Sequence, residues 1–180
     1  MTYYAKRCIA LPGDTLGIKD YFYKIKGYEK SLGNLNAQKR LSEVKSIRDA
    51  NIVYESYPQN PSLNWNIKDL GPLYIPKKGE VILLDDKNRI LYGRLIEWEQ
   101  KQKIINKDGS FYMGNKRMIS YCFKKNYYFV SGDKMENSKD SRYWGLLPEE
   151  FIVGKAWLVC KSVDTSTGSF RWERFLKRIK

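Results

Sequence analysis

The chain has 180 residues, 33 basic against 20 acidic, a net charge of +13 and a hydrophobic share of 42%. That length and apolar content suit one domain, with or without a large insertion, and no run nears the roughly 18 apolar residues of a membrane span, so the chain is expected to be soluble. No histidine occurs, which excludes Ser-His-Asp and Cys-His catalysis and every histidine-based metal site; a hydrolase of this composition needs another base, and a desolvated lysine, whose pKa falls toward neutrality on burial, is the obvious one.

Residues 3–11 read as a strand with Tyr4, Lys6, Cys8 and Ala10 on one face and Ala5, Arg7, Ile9 and Leu11 on the other. Pro12-Gly13-Asp14 signals a turn, and Thr15–Ile18 and Tyr21–Ile25 complete a meander. Leu41, Val44 and Ile47 predict a short amphipathic helix near 36–49, and the Pro-, Asn- and Ser-rich stretch 56–72 reads as a long surface loop. Strands are predicted at 73–75 and 80–84, a helix over 90–99 from Leu91, Leu95 and Trp98, and a hairpin over 103–119 from Asp108-Gly109 and Gly114-Asn115. Tyr127–Ser131 reads as a strand, Gly132–Gly145 as a polar loop and Phe151–Val159 as an apolar strand. Many short strands, little helix and no βαβ alternation predict a mainly β, antiparallel fold with one to three short helices. Cys8, Cys122 and Cys160 form no Cys-x-x-Cys pair and are expected to be small buried hydrophobes.

Two segments carry the chemistry. The first is Lys6-Arg7-Cys8-Ile9-Ala10-Leu11-Pro12-Gly13-Asp14. The second runs Gly132-Asp133-Lys134-Met135-Glu136-Asn137-Ser138-Lys139-Asp140-Ser141-Arg142-Tyr143-Trp144-Gly145, followed by Pro148 and Ile152-Val153-Gly154-Lys155-Ala156. Asp140 and Arg142, two apart, can pair across the loop, and Asp133 can accept from Arg7. Together the segments resemble the two C-terminal signature boxes of bacterial type I signal peptidases, in the right order and separated by a β-rich insert; the likeness runs from Lys6 to about Trp157. The resemblance implies a serine endopeptidase with a Ser-Lys dyad that removes signal peptides from exported preproteins. It gives Lys6 the role of general base and Ser138 that of the hydrogen-bond partner fixing the amine, with Arg7, Asp133, Asp140 and Arg142 supporting the site, and it calls for no metal or cofactor. A lysine on the predicted face of the first strand is desolvated and can be neutral near pH 7; the competing structural account is a lysine that snorkels to water.

The match has departures. Lys134-Met135 stand where the family has Asn-Arg, which puts the local loop contacts in doubt. The family's nucleophile lies in a Ser-Met-x-Pro box upstream of the lysine, and no Ser-Met dipeptide occurs in these 180 residues; Thr2 is the only non-tyrosine hydroxyl near the start. The expectation is a fragment, or the product of a truncated reading frame, inactive by itself. By resemblance, 1–26 and 120–160 form the catalytic β-core, 27–119 an inserted β-rich subdomain and 161–180 a basic tail. The parent protein is expected to sit in the cytoplasmic membrane with its catalytic domain on the outer face. In the tail, Trp172, Phe175, Leu176 and Ile179 follow helical spacing among basic residues, which fits an amphipathic helix either on an anionic membrane surface or docked on the protein's own sheet. The alternative function is a non-catalytic homologue that binds exported chains. Nucleic acid is not an expected partner, because aromatic and basic residues are not interleaved in an RNP-like pattern.

Overall fold

The computed structural model describes residues 3–44, 52–164 and 166–179. They divide into two compact units: residues 4–149, and residues 150–179 together with Tyr3.

The larger unit begins with β1 (Arg7–Ala10), β2 (Thr15–Lys19) and β3 (Phe22–Ile25), followed by α1 (Leu35–Ser42) and β4 (Leu70–Tyr74). Next come β5 (Val81–Leu83), α2 (Asp86–Gln100), β6 (Ile104–Lys107), β7 (Ser110–Met113), β8 (Lys116–Met118) and β9 (Ser120–Cys122). β10 (Tyr127–Ser131), α3 (Ser141–Trp144) and β11 (Leu147–Pro148) close it. The strands form small antiparallel sheets in the orders β1-β10-β11, β3-β2-β4, β5-β9 and β6-β7-β8. The mainly β character read from the sequence is what the chain adopts. Among the described residues no helix is long and apolar enough to cross a membrane.

Local chemistry places most of these elements. Leu11 to Asp14 make a type II turn, with Gly13 at φ +97 where an L side chain is disfavoured. The Asp14 carboxylate accepts from Leu11 N–H (2.7 Å), and the Asp14 amide donates to Leu11 O (3.1 Å). α1 starts where the Asn34 side chain accepts from the Ala37 amide, and α2 where Asp85 accepts from Asn88. The second cap lies six residues ahead of Leu91, where the apolar pattern begins, so α2 is longer than the 90–99 expected. The first helix ends earlier than expected within the described residues; Ile47 and its neighbours to 49 lie outside them.

Several expectations are corrected. In β1 the pairing with β10 shifts between Cys8 and Ala10. This bulge buries Ile9 and Ala10 together and exposes Cys8, so the strict alternation that grouped Lys6 with Tyr4, Cys8 and Ala10 does not hold. Tyr4 is 79% exposed. Cys122 and Cys160 are exposed as well, and the expectation of three buried cysteines is overturned. The 56–72 loop is not confined to the surface: Ser56, Tyr57 and Ile67 are buried.

In the smaller unit β12 (Leu158–Val159) pairs with β13 (Lys177–Arg178), so the apolar strand expected over 151–159 is two residues long. The tail is not a helix. Only Trp172–Arg174 form a 3-10 turn, and Leu176, at φ +54, redirects the chain into β13. Strand pairing lets the amides of Leu176 and Ile179 donate to Val159 O and Trp157 O, which an eleven-residue helix without a docking face cannot match.

One carboxylate ties α2 to the connection before β10. Glu99 accepts from the hydroxyls of Tyr121 (2.6 Å) and Tyr127 (2.7 Å) and from the amides of Lys124 (2.9 Å) and Lys125 (3.1 Å). Phe123 lies edge-on between Tyr92, Tyr121 and Tyr127. Glu99→Ala deprives four donors at once, and urea denaturation should show a loss of about 1.5–3 kcal/mol.

Candidate active site

Lys6 stands one residue before β1, whose Arg7 pairs with Ser131 at the end of β10. It therefore lies beside Gly132, where the chain leaves the sheet. The loop after Gly132 makes a 3-10 turn at Met135–Asn137 and returns with Ser138. The Lys6 amine donates to Ser138 Oγ over 2.7 Å, and both residues are half-buried. Gly132 makes this approach possible: a Cβ there would lie 2.7 Å from Ser138 Cβ and 3.3 Å from Lys6 Nζ, and would collide with Ser138 Oγ. This glycine is needed for close packing rather than for a special backbone angle.

Two ion pairs flank the contact and differ in burial. Arg7 Nε and Nη2 donate to Asp133 Oδ1 and Oδ2, each over 2.8 Å. The fork holds the carboxyl below its ordinary range and raises the guanidinium. The side chains are 39% and 51% exposed, so water screens the pair and its contribution to stability is small.

Asp140 and Arg142 are wholly buried. Arg142 Nε and Nη2 donate to the two Asp140 oxygens over 2.9 Å each, and Nη2 also donates to Met135 O over 2.8 Å. Asp140 is also the N-cap of α3, accepting from the Arg142 amide, and its Oδ2 accepts from Gly132 N–H over 2.9 Å. Burial alone would raise the Asp140 carboxyl; the Arg142 hydrogen bonds and charge, with the amides of Gly132 and Arg142, outweigh it and hold the group below the usual range. Arg142 is likewise raised: burial opposes its charge, and the Asp140 bonds prevail. Arg142 Nη1 has no hydrogen-bond partner among the described residues, and the guanidinium lies 5.3 Å from the Tyr143 ring.

The Lys134-Met135 departure acquires a structural account. Met135 is buried in the core and Lys134 is exposed, while Arg142 reads only the backbone carbonyl of Met135. Four polar residues near the loop were not singled out from sequence: Tyr23, Asn34, Gln38 and Ser131. Ser131 had a legible signal, because Tyr127, Phe129 and Ser131 alternate on one face and all are buried. Asn34 and Gln38 had none as site residues, since the partners that tie them to the site, Asp133 and Tyr23, lie 99 and 15 residues away. No group of three His, Cys, Asp or Glu side chains among the described residues could hold a metal ion.

These features define an antiparallel β protein with a lysine-centred polar site at the end of one sheet. A family model described as signal peptidase, peptidase S26, matches residues 1–160, and the chain belongs to that family, whose activity is the removal of signal peptides. Signal peptidase I of Buchnera aphidicola subsp. Acyrthosiphon pisum is 30% identical over 165 residues, 89% of this chain and 49% of the relative. That of Buchnera aphidicola subsp. Schizaphis graminum is 30% identical over 179 residues, 98% of this chain and 54% of the relative. Signal peptidase I of Haemophilus influenzae is 46% identical over 57 residues, 29% of this chain and 16% of the relative. The chain thus spans about half the length of the two Buchnera relatives. No solved structure matches.

The two ion pairs should separate cleanly in urea denaturation. Asp140→Ala leaves a buried guanidinium unpaired and should cost about 3–5 kcal/mol, whereas Asp133→Ala should cost about 1 kcal/mol or less. The acid dependence follows from the Asp140 shift. Its folded value lies below the unfolded one, so its contribution is complete above the ordinary carboxylate value near about 4 and is lost as pH falls from there through the folded value. The urea midpoint should fall below about pH 4, and Asp133→Ala should keep that fall.

Proposed function

We propose that this chain is the lysine-bearing half of a signal peptidase I, a serine endopeptidase with a Ser-Lys dyad that cleaves signal peptides from exported preproteins. The observation that carries it is the 2.7 Å contact between the Lys6 amine and Ser138 Oγ, reached over 132 residues of sequence. Lys6 acts as general base: its amine takes the proton of a serine hydroxyl as that oxygen attacks the scissile carbonyl, and later gives that proton to the leaving amine. Ser138 holds the amine in one direction, which spares the rotamer entropy of a free lysine. Arg7, Asp133, Asp140 and Arg142 shape the loop and touch no substrate.

No Ser-Met dipeptide occurs in the 180 residues, so they do not cleave by themselves; the nucleophile comes from a Ser-Met-x-Pro segment elsewhere in the working protein. In this reading 1–26 with 120–160 make the catalytic core, 27–119 an inserted subdomain and 161–180 a basic tail. The working protein is anchored in the cytoplasmic membrane with this region on its outer face. The exposed Trp157 and Trp172, with Arg174, Lys177 and Arg178, favour contact of residues 150–179 with an anionic membrane surface. Vesicle co-sedimentation that survives deletion of 150–180 would remove that part.

The alternative, a homologue that binds exported chains without cutting them, is favoured by the same missing dipeptide. Fusing the N-terminal half of a Buchnera signal peptidase I, with its serine box, to this chain separates the two. The fusion should cleave a peptide with small residues before the cut, and Lys6→Ala should lower kcat at least about a hundredfold. A folded fusion that binds the peptide without cutting it supports the alternative, and cleavage indifferent to Lys6→Ala overturns the base assignment.

A further inference from the structure

More polar groups are buried beneath the Lys6–Ser138 contact than the contact itself uses. The Tyr23 hydroxyl, on β3, donates to Ser131 Oγ over 2.7 Å, and Ser131 Oγ in turn lies 3.3 Å from Asp140 Oδ2 and 3.4 Å from Gly132 O. Tyr23, Ser131 and Asp140 are 5%, 2% and 0% exposed. Burying hydroxyls costs free energy unless they are bonded, and a ring that only filled the core against Phe129, 6.4 Å away, would need none. The direction of the chain is set at its start. Tyr23 gives its single proton to Ser131, so the Ser131 proton is free for Asp140 or Gly132.

Helix α1 fixes the near end. Gln38, wholly buried, accepts from Tyr23 N–H over 3.0 Å and donates to Leu32 O over 2.6 Å. Asn34 caps the same helix and donates to Asp133 O over 3.3 Å, while Arg40 lies 3.7 Å from Glu136. α1 thus touches the loop that presents Ser138 at Asp133 and Glu136 and reaches the β3–β10 junction through Gln38. At the far end Asp140 Oδ2 holds Gly132 N–H, and Gly132 is the residue wedged against Ser138 and Lys6.

We infer that Tyr23 and Ser131 are positioning residues for Lys6. Their hydroxyl chain orients the Asp140 carboxylate, the carboxylate places Gly132, and Gly132 sets the separation of Ser138 Oγ from Lys6 Nζ, with α1 bracing the Tyr23 end and the loop that carries Ser138. Arg142 holds the carboxylate through its fork and its amide, and donors from Gly132 and Ser131 fix Oδ2 further. The inference rests on the reading of Lys6 as the base only for its effect on cleavage. The geometric part stands apart from that reading.

The test uses the 180-residue chain with 13Cε-labelled lysine, followed by NMR and by amide hydrogen exchange. Tyr23→Phe keeps the ring and Ser131→Ala removes only a hydroxyl. Each should raise the exchange rate of the Gly132 amide at least about tenfold, shift the Lys6 13Cε signal and leave the amides of β6 and β7 unchanged. A folded Tyr23→Phe variant with an unmoved Gly132 amide overturns the inference, and so does a loosened Gly132 with an unmoved Lys6 signal. In the fused, cleaving protein, Tyr23→Phe should lower kcat about tenfold with KM unchanged, since positioning acts on the transition state. If Lys6→Ala abolishes cleavage and Tyr23→Phe does not slow it, the positioning chain fails and the base assignment survives. If Lys6→Ala is harmless, the base assignment fails and the NMR pair still decides the positioning chain.

Discussion

Burying the Asp140–Arg142 pair is the constraint around which the loop after β10 is arranged. Two charges withdrawn from water carry a penalty of several kcal/mol each unless the rest of their hydrogen-bonding capacity is met. Asp140 meets it with the Arg142 fork, the Arg142 amide, the Gly132 amide and the Ser131 hydroxyl. Arg142 spends a further donor on Met135 O. These groups belong to β10, to the 3-10 turn and to the start of α3, so satisfying one buried pair fastens three segments to one another. A loop this polar could not be held by hydrophobic burial alone.

The same economy recurs elsewhere in the larger unit. Its sheets have two or three strands each, and such sheets are marginal alone. They are joined by side chains that bond to backbone across elements: Glu99 to the amides before β10, Gln38 to Tyr23, and Asn34 to Asp133. The apolar core, from Ile9 and Leu16 through Ile75 to Phe123 and Phe129, supplies the bulk of the driving force. The polar joints decide which loop goes where, because hydrogen bonds have direction and apolar contacts do not.

The placement of Lys6 shows how the two kinds of force cooperate. The β1 bulge turns Ile9 and Ala10 into the core together, and Lys6, before the bulge, is left at the edge of the sheet facing the returning loop. Its amine is neither buried among apolar side chains nor free in water; it meets one hydroxyl. Arg7, the next residue, faces Asp133 at the surface. Neighbouring basic side chains thus serve different ends of the same loop, one through a single short contact and the other through a screened fork.

Much of this is legible in the sequence. Short strands and turn residues such as Pro12-Gly13 and Asp108-Gly109 showed a mainly β fold because turn chemistry is local, and the two long signature segments placed the chain in its family. The pairing of Asp140 with Arg142 was legible because the residues are two apart. Its burial was not, since burial depends on Met135, β10 and α3 closing over it. The bulge that breaks the alternation of β1 was hidden for the same reason: register is set by the partner strand β10, far away in sequence. The C-terminal pattern suited a helix by spacing alone, yet the backbone found strand partners at 157–159. Local sequence therefore determined the turns, the residue types of the site and the absence of histidine chemistry. Only the tertiary structure decided which polar groups are buried, which hydroxyl meets Lys6 and how α1 reaches the loop, because each of these depends on contacts between residues far apart in the chain.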